Sequence, residues 1–561
     1  MHGRVKVLQS DEQKKKAKAE KAEKLARFAE LETQTLENYK NKNADFLANS
    51  RSLLEANPNC FVFWNQRRLY LLENHLKELP QDDLLHEELR LTRNCLLKDP
   101  KSYGAWFHRN WILNAFKVED LSNELALCNE FLTLDERNFH CWDYRRGLVS
   151  KMSLPKDEDI KFTSNLLDRN FSNFSAWHYR SELLVPSEKQ VNISIHLESS
   201  IFKPDSNELD LIHNAIFTDA IDQSAWFAYW RLFNEKKRLI TLNSVTIAKE
   251  HGLILVRFSA PIISDQLKKI TFSIERDTPL ELTLWKSVNA SEVSSVWLHS
   301  LSQNLIRGPI KLAIAQGDHR KSVQFELNQV TIAINEEIQT LNFNLTISPN
   351  IDKTLLQEEL TLMLELYEME PTNKWVLLTL VNMLAFLKPQ DYLSSTTQYL
   401  NLLKELDRPK VGFYKVFQSH IIVNDALSQY YKSLGTEFTD HFVLANSNIT
   451  ALPNFSSLYH IIRLDLSSNE LESIPATLQH LPLLKELKLS KNFITSLENI
   501  PKMPNLLTLS LDFNQLSKKN LIENLFRLGK YSPKLKEVDL IGNPVTSPLT
   551  GIENLSFNLK L

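Results

Sequence analysis

Glycine is scarce in this chain, 11 in 561 residues, alongside 4 cysteines and 6 methionines. So few glycines leave little room for a phosphate-cradling loop, and none of G-x-x-x-x-G-K-[ST], G-x-S-x-G or H-E-x-x-H occurs. The cysteines, Cys60, Cys95, Cys128 and Cys141, contain no C-x-x-C pair and follow no secretory signal. That argues against a disulfide framework and for a reducing compartment, the cytoplasm. Charge of one sign is missing too: 65 Lys and Arg meet 68 Asp and Glu, for a net charge of −3 and a pI near 6.6. This balance leaves no electrostatic footprint for nucleic acid or an anionic membrane. The longest apolar stretch, Val376 to Leu387, is too short to span a bilayer and carries Asn382. If the chain takes part in catalysis, some of the machinery lies on another chain.

Tryptophan, by contrast, recurs in register. Aligning "NPNCFVFWNQRR", "DPKSYGAWFHRN", "DERNFHCWDYRR", "NFSNFSAWHYRS" and "AIDQSAWFAYW" superposes Trp64, Trp106, Trp142, Trp177 and Trp226, spaced 42, 36, 35 and 49 residues apart. These intervals suit stacked helix-turn-helix units of roughly 35 residues. In four copies an arginine follows three residues later, at Arg67, Arg109, Arg145 and Arg180, on the same helix face. The fifth has Tyr229 there, and a worn sixth copy surrounds Trp375. Each segment opens with helix-starting residues. The dense cluster His140, Cys141, Trp142, Asp143 and Tyr144 is therefore one copy of a repeat, in which Trp is expected to pack between hairpins and Arg to tie neighbours together. Cys128 and Cys141 read as small core residues.

Residues 11–40, rich in Ala, Glu and Lys, read as a solvated helix with a thin stripe at Leu25, Phe28 and Leu31. From about 243 to 348 the pattern switches to period two, giving six or seven strands and a sandwich of about 100 residues. Helical patterning resumes at Ile351. The C-terminal region then repeats L-x-x-L-x-L-x-x-N-x-L, with Asn469, Asn492, Asn514 and Asn543 at intervals of 23, 22 and 29 residues. The expected fold is mainly α: a right-handed helical-hairpin solenoid in two parts (1–242 and 351–437), an inserted Ig-like β-sandwich (243–350) and a leucine-rich-repeat domain (438–561).

The W-x-x-R hairpins preceded by D-P-K-S-Y and D-E-R-N-F-H resemble the α-subunit repeats of protein prenyltransferases. With the sandwich and the leucine-rich tail, the whole chain resembles the α subunits of the Rab, or type II, geranylgeranyltransferases. The resemblance implies a heterodimer whose β subunit holds catalytic Zn²⁺ and the lipid pocket. Geranylgeranyl then passes from its diphosphate to C-terminal cysteines of Rab GTPases delivered by an escort protein. It also implies that Lys101 reaches the diphosphate, with Tyr103 beside it and Phe139 and His140 at the same edge. Read alone, Lys101 is a solvated pre-helix lysine. His2, in "MHGR", is implied to be a provisional fourth ligand of the β-subunit zinc, whereas a terminus read alone is unconstrained. CaaX-type relatives carry a glutamine after the repeat-two tyrosine, which holds the peptide carboxylate. Here Gly104 stands and offers no side-chain donor, so free C-terminal peptides are expected to be poor substrates. Gly104→Gln is not expected by itself to create CaaX specificity, because the glycine is also expected to set the local backbone. Two alternatives stay open: a non-catalytic scaffold, and a CaaX-type α subunit, although such chains lack the sandwich and leucine-rich modules.

Overall fold

A computed structural model describes residues 11–43, 45–74, 82–184, 193–194, 204–233, strand residues with a few flanking positions between 240 and 333, 352–387, 389–434, 440–452, 458, 461–517, 520–545 and 551–561. The chain divides into two compact units, Met1–Leu183 and Leu184–Leu561.

The first unit is helical. Helix α1 (Asp11–Lys40) is the solvated helix expected from its composition: Leu25 is exposed, while Tyr39 near its C-terminal end rests against Phe46. Four hairpins follow: α2 (Asp45–Ala56) with α3 (Phe61–Asn74), α4 (Asp82–Lys98) with α5 (Tyr103–Ala115), α6 (Ser122–Leu134) with α7 (Phe139–Met152), and α8 (Lys156–Leu167) with α9 (Phe174–Leu184). First helices pack on first helices, α2 on α4, and second on second, α3 on α5 and α5 on α7. Side-chain caps set the helix starts. Ser102 accepts from the Ala105 N–H, and Asn138 from those of His140 and Cys141.

Tryptophan closes each turn. The indole N–H of Trp64, Trp106, Trp142 and Trp177 donates to the carbonyl six residues earlier, at Pro58, Pro100, Glu136 and Phe171, over 2.7–2.9 Å. Because the ring is buried while its one polar atom is satisfied, the residue can fill the hairpin core without an orphaned donor.

Arginine joins the hairpins through a buried carboxylate on the next one. Arg67 Nε lies 2.9 Å from Glu88 Oε2, Arg109 Nε 2.7 Å from Glu124 Oε2, and Arg145 Nη1 2.7 Å from Asp159 Oδ1. The same carboxylates take a polar ring from their own hairpin: His108 on Glu88 at 2.9 Å, Tyr144 on Glu124 at 2.7 Å, and Tyr179 on Asp159. Each arginine also reaches back to its own first helix, as Arg67 does to the Leu47 carbonyl and Arg109 to that of Leu89. The Glu88 and Glu124 charges so surrounded are paired and hydrogen-bonded, the condition under which burial is tolerated, whereas Arg145 Nη1 and Asp159 Oδ1 meet as an ion pair without a hydrogen bond.

The second unit opens with the fifth hairpin, α10 (Ser206–Thr218) and α11 (Gln223–Phe233). Its Trp226 donates to the Ala220 carbonyl at 2.9 Å. Tyr229, standing where arginine stood before, donates to Glu359 Oε2 at 2.8 Å. Glu359 belongs to α12 (Lys353–Met369), so the departure from arginine keeps the rule of bonding to a carboxylate on the next hairpin. Helix α13 (Lys374–Leu387) carries Trp375, whose indole instead donates to the Ile221 carbonyl at 3.2 Å. Helices α14 (Pro389–Leu406) and α15 (Val411–Leu434) complete the helical part.

Between α11 and α12 lie two antiparallel groups of strands. One centres on Leu253–Ile263 between Ile240–Ala248 and Val293–Ser300. The other centres on Ile310–Gln316 between Thr271–Ile274 and His319–Phe325. The Trp285 ring lies 4.8 Å from Phe272 of the second group and 5.4 Å from His299 of the first. The described strands outnumber the six or seven expected. Leu280–Glu281, Lys286–Ser287 and Thr331–Ala333 are too short to show a period of two. Residues 334–350 of the expected sandwich lie outside the described residues.

The C-terminal part is a parallel sheet of short strands, His441–Val443, Arg463–Asp465, Glu486–Lys488, Thr508–Ser510, Glu537–Asp539 and Asn558–Lys560, paired in that order. Leu464, Leu487, Leu509 and Val538 point into the core. The asparagines hold adjacent coils together. Asn492 Nδ2 donates to Leu466 and Leu489 carbonyls, both at 3.0 Å, while its Oδ1 accepts from the Leu471 N–H at 3.0 Å. Asn469, Asn514 and Asn543 repeat that pattern. The longer interval before Asn543 accommodates α16 (Leu521–Tyr531). Helix α15 caps this core with Val423 and Tyr430, flanked by Ile422, Ala426 and Leu427.

Candidate functional site at the helix starts of repeats two and three

Lys101 sits in the turn between α4 and α5, and hydrogen bonds hold the peptides on either side of it. Its N–H donates to Asp99 Oδ1 at 3.1 Å, and the Ser102 N–H to the Asp99 carbonyl at 3.1 Å. The Pro100 carbonyl accepts from Trp106 Nε1 at 2.9 Å and from Asn138 Nδ2 at 2.8 Å. Ser102 Oγ donates to the Pro58 carbonyl at 2.9 Å. The side chain is free of these constraints: it is 59% exposed, with Nζ 3.5 Å from Asp135 Oδ2.

Tyr103 opens α5 and is 60% exposed. Its ring centroid lies 4.1 Å from that of His140 and 6.2 Å from that of Phe139, both at edge-to-face angles. The expected group of Lys101, Tyr103, Phe139 and His140 is thus brought to one edge of the unit. His140 is buried, and its Nε2 has no hydrogen-bond partner among the described residues. Burial lowers the imidazole pKa, Asp143 opposes that shift, and Lys101 adds to it. A neutral ring with an unused nitrogen, an exposed cation and a rim of aromatic faces suit a ligand with an anionic end and an apolar body.

The first residue of each second helix in this unit is aromatic and exposed: Phe61, Tyr103, Phe139 and Phe174, each three before its tryptophan. Phe107 adds to the row, with the Arg68 guanidinium 4.7 Å above its ring. Sequence reasoning missed this periodic row, and also Asn138 and Asp135, whose D-x-x-N spacing before an aromatic was the available signal.

Gly104 does not take a glycine-specific backbone, since it lacks a left-handed φ. The constraint is space: a Cβ there would fall 2.6 Å from Trp64 Nε1. The ring of repeat one lies directly on the backbone of repeat two.

Among the described residues no three His, Cys, Asp or Glu side chains converge where a metal ion would sit. Burial pushes the Cys95 thiol up to about 12. Hydrogen bonding to Cys141 and burial raise that of Cys128, so both behave as inert core groups. His2 lies outside the described residues. No helix among the described residues is long and apolar enough to cross a membrane.

The protein prenyltransferase alpha subunit repeat model matches residues 85–116, 121–152 and 156–185, and a leucine rich repeat model matches residues 440–494. Geranylgeranyl transferase type-2 subunit alpha of Pongo abelii is 32% identical over 573 residues, covering 99% of this chain and 98% of the relative. The Homo sapiens protein of the same name gives the same figures. Geranylgeranyl transferase type-2 subunit alpha 2 of Arabidopsis thaliana is 30% identical over 340 residues, covering 55% of this chain and 47% of the relative. For the Pongo abelii and Homo sapiens proteins, near-complete coverage in both directions means that the likeness extends over helical, strand-rich and leucine-rich parts alike, and the chain belongs to the geranylgeranyl transferase type-2 alpha-subunit family of prenyltransferases.

Proposed function

We propose that this chain works as the α half of a cytoplasmic heterodimer that transfers geranylgeranyl to C-terminal cysteines of Rab GTPases presented by an escort protein. Catalytic Zn²⁺ and the lipid pocket belong to the β subunit, where the metal would lower the pKa of the attacking thiol. The thiolate sulfur attacks C1 of geranylgeranyl diphosphate, an S–C bond forms, the C–O bond breaks, and diphosphate leaves with the bonding pair. Lys101 places a positive charge where negative charge builds on that leaving group. Tyr103 and His140 shape the same edge, and His2 is assigned to the β-subunit zinc as a provisional ligand. The observation that carries the reading is the exposed Lys101 ammonium on a hydrogen-bonded turn beside the Tyr103 and His140 rings.

The exposed aromatic row at Phe61, Tyr103, Phe107 and Phe139 supports a β subunit docked along the second helices. We assign 1–242 and 351–437 to a right-handed hairpin solenoid, 243–350 to an inserted Ig-like sandwich and 438–561 to leucine-rich repeats. Trp285, in contact with rings of both strand groups, supports the sandwich.

Lys101→Ala in the reconstituted heterodimer is expected to slow single-turnover transfer by about 10- to 100-fold, with lipid affinity nearly unchanged. An unchanged single-turnover rate would return Lys101 to the scaffold.

A further inference from the structure

We propose that Asn138 is a positioning residue for Lys101, acting across the junction of repeats two and three. This rests on the diphosphate-facing role given to Lys101 above. Asn138 does two jobs with two different atoms. Its Oδ1 accepts from the His140 and Cys141 N–H groups and so caps α7, while its Nδ2 donates to the Pro100 carbonyl at 2.8 Å. That carbonyl is the peptide oxygen immediately preceding Lys101. The side chain of Asn138 is almost wholly buried, so water does not replace the lost bond cheaply. Three residues earlier in the same turn, Asp135 Oδ1 accepts from the Arg137 N–H and its Oδ2 faces Lys101 Nζ. The α6–α7 turn therefore carries both the backbone anchor and the side-chain partner of the lysine.

Comparable bonds without a lysine occur elsewhere in the fold. Ser102 caps α5 and donates to Pro58, and Asn373 in the sixth hairpin donates to the Ala220 carbonyl at 2.8 Å. The contact recurs at these junctions but not at every one, since Asn173 caps α9 with its Oδ1 while its Nδ2 has no partner among the described residues. At the junction of repeats two and three it bears on a cation aimed at solvent. A charge stabilising a transition state is effective in proportion to its preorganisation, which a fixed peptide supplies and a loose turn does not.

Aspartate separates the two jobs, because Asn138→Asp keeps the capping oxygen and removes the donor. Serine should retain both, as Ser102 does at the same repeat position. In the reconstituted heterodimer, N138D is expected to slow single-turnover transfer by about 3- to 10-fold while leaving affinity for geranylgeranyl diphosphate within about 2-fold. N138S should stay near wild type. The K101A/N138D double variant should be no slower than K101A alone, because a positioning residue has nothing left to position. N373D should lower Tm without slowing transfer. A double variant slower than K101A by the full N138D factor would overturn the proposal, as would a wild-type rate for N138D, a slow but folded N138S or an equally slow N373D. If K101A itself transfers at the wild-type rate, the role of Lys101 fails first and this inference with it.

Discussion

Gly104 shows how one side chain can be excluded by a neighbour rather than by backbone geometry. Trp64 occupies the volume that a β-carbon would need. Gly104→Ala should cost about 1–3 kcal/mol through overpacking, read as a lower Tm of the isolated chain. A Tm equal to wild type would show that the Trp64 ring yields freely. The same contact predicts that Gly104→Gln will not by itself create CaaX specificity, since any side chain longer than hydrogen meets the indole first.

Among the elements, the hairpin pair joined by a buried carboxylate is the repeating unit of stability. Glu124 accepts from Arg109 and Tyr144 at once, so Glu124→Ala leaves a guanidinium buried without its charge partner and should cost about 3–5 kcal/mol. Chemical denaturation of the isolated chain measures it, and a loss below about 1 kcal/mol would mean that water reaches Arg109. Glu88 adds a pH dependence. Burial by itself would raise its pKa, but Arg67 and His108 outweigh that and hold the carboxyl at about 2, while burial lowers the pKa of His108. His108 Nδ1 has no partner among the described residues, consistent with a neutral ring donating from Nε2 to Glu88. Both groups bind protons more readily when unfolded, so stability should fall as pH drops below about 6.5 for His108 and again below about 4.3 for Glu88. Thermal melts from pH 7.5 to 5 should show the first loss. His108→Phe should be less stable at pH 7.5 yet show a flatter slope, and an unchanged slope would assign the loss to other groups.

Much of this unit was legible in the sequence. Trp64 to Trp226 and the arginines that follow four of them announced the hairpins, because a large aromatic recurring at a nearly fixed interval needs one core position per structural unit. The asparagines of the leucine-rich coils were equally plain. Glu88, Glu124 and Asp159 were not, since acidic residues on a helix usually face water and only their constant offset of 18 residues before the next tryptophan marks them. Their ring partners His108, Tyr144 and Tyr179 were hidden for the same reason. The edge formed by Lys101, Tyr103, Phe139 and His140 was named through resemblance. Its support from Asn138 depends on a contact between turns 38 residues apart, which no local pattern reveals.

At the scale of the molecule, α15 binds the helical and leucine-rich parts of the second unit into one structure. Its Val423 and Tyr430 lie in the same core as Leu444 and Leu464. Truncation at residue 437 should therefore uncover Ile422, Val423, Ala426, Leu427 and Tyr430, seen as dye binding to exposed apolar surface and a lower Tm. Transfer activity should survive where the protein stays soluble, since Lys101 and its turn belong to the other unit. Loss of transfer by a soluble, folded truncation would assign the leucine-rich part a direct role. The most direct test of the chain as an enzyme's α half is geranylgeranyl transfer to a Rab GTPase with escort protein, assayed with this chain alone, β subunit alone and the two together. Transfer only by the pair, slowed about 10- to 100-fold by Lys101→Ala, is the expected result. Zinc-dependent transfer by this chain alone, or full activity of the β subunit without it, would contradict it.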